Sequence, residues 1–116
     1  MQFAGKSIQG RRDYNQDRIF FRSENGCFAA AVADGMGGYS GGEVASQIAM
    51  DVCERKFDLF APAPSPDALE RLILDIVEES RAMIRRKSQE QAELEGMGTT
   101  LTIAAVTAFA VSYRWR

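Results

Sequence analysis

An unbroken apolar run at residues 27–33 (Cys-Phe-Ala-Ala-Ala-Val-Ala) ends abruptly in an acid and a glycine, Asp34-Gly35. A run this short without polar alternation predicts a strand buried on both faces. The dipeptide Asn25-Gly26 just before it is a strong signal for a two-residue hairpin. Residues 18–22 carry Ile19, Phe20 and Phe21 and suit the partner strand. The front of the chain therefore reads as a β-hairpin whose second strand ends at Asp34. Residues 3–8 form a further short strand in this reading, and residues 10–17 a polar turn.

Residues 34–42 read as a glycine-dense loop, after which the period changes. Val44, Ala45, Ile48, Ala49, Val52, Cys53, Phe57 and Phe60 share one helical face. Pro62, Pro64 and Pro66 mark the next connection, and Ser65-Pro66 is a good N-cap and first-turn pair. A second helix carries Leu69, Leu72, Ile73, Ile76, Val77, Met83 and Ile84 on one stripe. Its charged face, with Glu70, Arg71, Glu78, Glu79, Arg85 and Arg86, reads as solvated. Gly96-Met97-Gly98 breaks that helix. Residues 99–106 are rich in β-branched side chains and predict another buried strand, which residues 107–115 continue or follow with a further strand. Strands, two helices, then strand is the order of an α/β sandwich with helices on one face of a sheet.

The 116 residues suffice for one domain with a real core. A net charge of −2 gives no pull toward nucleic acid or an anionic membrane. The N-terminus lacks the apolar centre of a signal peptide, and no run is long enough to span a bilayer. The two cysteines, Cys27 and Cys53, read as small buried hydrophobes. A reducing cytoplasm is the default setting. There is no histidine, which removes the commonest general base and zinc ligand. Chemistry must come from carboxylates, arginine, backbone groups or a hard metal.

Asp34 is the first candidate. A carboxylate at the end of an apolar strand must be solvated, paired or metal-bound, because an isolated buried charge is expensive. Flanking glycine lets the backbone approach a ligand and expose carbonyls, which suits Mg²⁺ or Mn²⁺. A turn aspartate capping its own loop fits the same residues. Arg11-Arg12-Asp13-Tyr14-Asn15-Gln16-Asp17 is the second candidate, with guanidinium for phosphate and acid for water or metal; a solvated turn is the alternative. The glycine loop itself lacks the Gly-Lys-Ser/Thr ending of a P-loop and the dinucleotide-binding glycine spacing.

Taken together, these segments resemble the type 2C, or PPM, serine/threonine phosphatases in their bacterial form. Gly10-Arg11-Arg12-Asp13-Tyr14-Asn15-Gln16-Asp17 is similar to the family's early arginine and Asn-Gln-Asp motif. Ala33-Asp34-Gly35-Met36-Gly37-Gly38 looks like its metal-binding strand end. Gly42-Glu43-Val44-Ala45-Ser46 matches the start of its first long helix, and Gly98-Thr99-Thr100-Leu101 the strand after the second. The resemblance implies an α+β fold, the layered α/β/β/α sandwich, here its N-terminal portion over residues 1–116. It implies two Mn²⁺ or Mg²⁺ ions bridged by Asp34, one of them also bound by the Gly35 carbonyl, with Asp17 in or beside the metal shell. Arg12 would hold the substrate phosphate; it has the family's spacing to Asp17, which Arg11 lacks. The implied reaction is attack of a metal-activated water on a phosphoserine or phosphothreonine of a protein substrate, without a phosphoenzyme.

The chain departs from the pattern in three ways. Met36 stands where some members have histidine, and Gln16 where others have glutamate. The family's later Gly-Asp-Ser strand and two later metal aspartates do not occur, so the chain reads as truncated. A site with so few ligands is expected to give little turnover by itself. The missing strands would leave sheet edges uncovered, inviting homodimerisation. Two other readings stand beside the phosphatase: a non-catalytic module that keeps the fold and binds a partner or itself, and a nucleotide-binding α/β domain. Only the phosphatase reading needs tight divalent binding at Asp34.

Overall fold

In a computed structural model, the structure describes residues 17–24, 27–37, 41–58, 65–106 and 111–115. The expected strand at residues 3–8, Arg11 and Arg12, the Asn25-Gly26 turn and Phe60 lie outside these. Strands β1 (Asp17–Glu24) and β2 (Cys27–Met36) are followed by helices α1 (Gly41–Asp58) and α2 (Pro66–Glu90). A short 3-10 turn (Ala92–Leu94) then leads to β3 (Gly98–Thr99), β4 (Thr102–Val106) and β5 (Val111–Trp115). The sheet order is β1-β2-β4-β5, antiparallel throughout, with β3 paired to the end of β2. Glu24 faces Cys27, the pairing a two-residue connection requires. The α+β class follows, with both helices packed on one side of the sheet.

The pleat decides which residues of β2 meet the helices. Ala29, Ala31 and Ala33 are at most 2% exposed and join the core with Val52, Cys53, Leu69, Ile73 and Ile76. Val32, on the opposite face, is 50% exposed. Here the sequence expectation is corrected: among the described residues, β2 is covered by helices on one face, and Val32 on the other stays exposed. Its apolar character on the other side suits a second layer that the described residues do not supply. Phe20 of β1 stacks on Phe57 of α1, ring centroids 5.8 Å apart, and closes the far end of the core. Arg22 lies over the Phe20 ring and pairs with Asp58.

The helices begin where local chemistry predicts. The Ser65 hydroxyl accepts from the Ala68 amide at 3.2 Å, and Pro66 occupies the first turn. Glu79 ties α2 to α1 through Arg55 at 2.9 Å and Lys56 at 3.6 Å. The glycine-dense segment is less of a loop than expected. Strand β2 runs on to Met36, and Gly41 and Gly42 already belong to α1. Both are buried, and a Cβ on Gly41 would stand 3.1 Å from that of Met97. These glycines thus serve close packing of the helix start against the segment before β3.

Candidate functional site

The site grows from the register of three strands. Asp17 is the cross-strand partner of Asp34. On the other side, β3 pairs Gly35 with Thr99 and β4 pairs Val32 with Thr102. These pairings share one register, which sets Thr100 opposite Asp34. The row Asp17, Asp34, Thr100 therefore crosses the sheet with Asp34 in the middle, and directly opposed residues of a ladder are close neighbours.

Thr100 explains why the expected strand over residues 99–106 is interrupted. In a regular pair, Asp34 and Thr100 would exchange backbone amide and carbonyl. Here the Thr100 amide donates to the Asp34 carbonyl at 3.0 Å, but the Asp34 amide donates to the Thr100 hydroxyl oxygen at 3.1 Å. The displaced Thr100 carbonyl accepts from the Thr99 hydroxyl at 2.8 Å. A side chain thus replaces one rung of the ladder and holds the backbone of Asp34 from below. Sequence reasoning assigned Thr100 no role. Its signal was the Thr-Thr pair after a glycine, two hydroxyls free to compete with the ladder.

Gly35 faces the helix layer, opposite in parity to Asp34. A Cβ there would come within 2.8 Å of the Gly42 Cα, and closer still to its carbonyl oxygen. The Ser46 hydroxyl donates to that same carbonyl at 2.9 Å. The start of α1 is thereby seated on the strand end. Arg18, beside Asp17, reaches α1 through Gln47 at 3.2 Å, and Gln47 donates to Asp51 at 2.9 Å.

Asp34 is half-buried, on the face away from the helices. The backbone brings together three of the four residues expected at a metal-phosphate site: Asp17, Asp34 and Gly35. Arg12, the fourth, lies outside the described residues. Carboxylate and carbonyl oxygens suit a hard divalent cation in kind. Their number is small: among the described residues, no group of three or more acids, cysteines or histidines could hold a metal ion.

Two groups on the helices have shifted pKa values. The Arg55 hydrogen bond holds the Glu79 carboxyl below its ordinary pKa, and burial pushes the Cys53 thiol up to about 12. Cys53 is free and buried, as its sequence context predicted. Among the described residues, no helix is long and apolar enough to cross a membrane.

Comparison with known proteins agrees with the geometry. The profile of the family described as Protein phosphatase 2C matches residues 4–114. The serine/threonine protein phosphatase PstP of Mycobacterium tuberculosis is 35% identical over 103 residues, 88% of this chain and 18% of that protein. The serine/threonine phosphatase stp of Listeria monocytogenes is 31% identical over 106 residues, 89% of this chain and 41% of that protein. The crystal structure of the M. tuberculosis enzyme superposes with a TM-score of 0.76 at 27% identity, covering 97% of this chain and 43% of the other. The PstP catalytic domain in complex with two manganese ions gives 0.76 at 28% identity, covering 95% of this chain and 45% of that one. This chain thus spans less than half the length of these relatives. With strand register, glycine seating and family profile in accord, the chain belongs to the protein phosphatase 2C family.

Proposed function

We propose that the chain carries the N-terminal part of a metal-dependent serine/threonine phosphatase site, acting on phosphoserine or phosphothreonine in proteins. The observation that carries this reading is the register that makes Asp17 and Asp34 cross-strand partners beside Gly35. Asp34, Asp17 and the Gly35 carbonyl would hold Mn²⁺ or Mg²⁺, and Arg12 would receive the substrate phosphate. When bound, such an ion lowers the pKa of water enough for attack at neutral pH. The protein's own part is to fix the oxygens: Thr100 pins the Asp34 backbone, and Gly35 admits the start of α1. Two carboxylates and a carbonyl fall short of the six or more ligands a hard ion takes. We therefore expect the 116-residue chain to bind Mn²⁺ weakly and to turn over a phosphopeptide poorly by itself.

Calorimetric Mn²⁺ titration of the chain beside Asp34→Ala and Asp17→Ala tests the reading. Binding lost in both variants supports it, whereas equal binding in all three proteins would sink it. Appreciable Mn²⁺-dependent turnover of a phosphoserine peptide by the chain alone would refute the expectation of poor activity.

A second reading rests on a separate observation. Phe21 is 42% and Val32 50% exposed on the face the helices leave open, and β1 and β5 are the edge strands among those described. Open apolar faces and edges favour association. In this reading the chain is a partner-binding or homodimeric module. Sedimentation showing a concentration-dependent dimer that Val32→Lys abolishes would favour it, and a strict monomer would count against it.

A further inference from the structure

Asp34 has one backbone donor and one backbone acceptor, and Thr100 holds both. The Thr100 hydroxyl also lies 3.5 Å from the Asp34 carbonyl, toward which its own proton can turn. The two backbone groups of a strand residue point to the same neighbouring strand. Asp34 therefore faces Asp17 across a non-hydrogen-bonded pair, the type in which opposed Cα atoms come closest, at about 4.5 Å. Alternation turns the backbone groups of Gly35 the other way, toward the β1 side where Asp17 stands. Gly35 has no side chain to limit its own dihedral angles. The direction of its carbonyl depends on the residue before it, and that residue depends on Thr100. A cation with so few protein oxygens to bind gains most when those oxygens are fixed beforehand.

We propose that Thr100 is a positioning residue for the divalent ion: its hydroxyl, standing in for a ladder carbonyl, fixes the Asp34 backbone and the direction of the Gly35 carbonyl, and so sets the ion's affinity. The inference rests on the metal reading of the Asp17–Asp34 row. Thr100 acts in this role through Asp34 and Gly35, without contacting the ion. Removing a group that orients a metal ligand from behind commonly costs about 10–100-fold in affinity. Thr100 works through main chain, which places its effect at the lower end, about tenfold.

Titration of the chain with Mn²⁺, read by the electron paramagnetic resonance of the free ion, tests this. Thr100→Val keeps the shape of the side chain and removes the acceptor, so binding should weaken about tenfold. Thr100→Ser returns the hydroxyl and should restore it. Ile73→Val trims the core in α2, away from the row, and lowers stability without touching Asp34; its affinity should match the parent chain. Hydrogen exchange gives a readout that needs no metal: the Asp34 amide should exchange faster in Thr100→Val and regain protection in Thr100→Ser. Unchanged Mn²⁺ affinity in Thr100→Val, with binding lost in Asp34→Ala, would overturn the positioning role and leave the metal reading standing. Equal weakening in Ile73→Val, or a loss that serine does not restore, would overturn it as well. No binding by the parent chain, or binding that survives Asp34→Ala, would remove both.

Discussion

Gly35→Ala puts the seating of α1 on the strand end under direct test. A Cβ at this position would lie 2.8 Å from the Gly42 Cα. Carbon atoms in ordinary contact sit about 3.5–4.0 Å apart, so α1 must withdraw by about 1 Å. The obstacle is main chain on both sides, so no rotamer change can relieve it. Overpacking of this kind costs about 1–3 kcal/mol where side chains can adjust, which puts this case at about 3 kcal/mol or more. Domains of this size hold roughly 6–17 kcal/mol in total, so a visible share of the stability goes. Urea unfolding followed by circular dichroism should show a lower midpoint at unchanged slope, and the melting temperature should fall by about 10 °C. Gly96→Ala is the matched control. Gly96 has φ +78° but open space around its Cβ position, so its cost is conformational alone, about 1 kcal/mol. A loss below about 1 kcal/mol for Gly35→Ala would refute the claim that contact with Gly42 excludes a side chain there.

Three further outcomes follow from the same structure. Thr100→Val should cost about 1–2 kcal/mol, because the Asp34 amide loses its acceptor; Thr100→Ser should restore most of it, as chemical denaturation would show. Glu79 has its pKa lowered, first by the Arg55 hydrogen bond, so its contribution to stability is present above the ordinary glutamate pKa of 4.5 and is lost as pH falls through the lower folded value. Glu79→Gln should therefore flatten the acid limb of a stability-against-pH curve, and an unchanged limb would contradict the pairing. Cys53, with its thiol raised to about 12 by burial, should resist iodoacetamide at pH 8 in the folded chain and react after unfolding, by mass mapping of the labelled peptide.

The parts legible in the sequence were those governed by local rules. Ser65-Pro66 announced the start of α2, the spacing of Leu69, Ile73 and Ile76 announced its buried stripe, and Asn25-Gly26 announced the pairing of β1 with β2. Asp34 and Gly35 stood out because an acid ending an apolar run needs a reason. What stayed hidden was set by register between distant segments. Nothing near Thr100 says that its hydroxyl replaces a rung beside Asp34, 66 residues away in the chain. The one-sided cover of β2 was equally illegible, since seven apolar residues look the same whether one layer or two lie against them.

The alanines of β2 make the two sides of the core unequal in what they will tolerate. Where α1 rests on Ala29, Ala31 and Ala33, with Ala49 among its own residues in the same core, the spacing is dictated by main chains. Leu69, Leu72, Ile73 and Ile76 of α2 fill space with longer, adaptable side chains. Volume can be traded among the latter with modest loss. The alanine seam has nothing to trade, so drift there is confined to the smallest residues. Over time the α2 half of the protein can be rewritten while the strip beneath α1 stays nearly fixed.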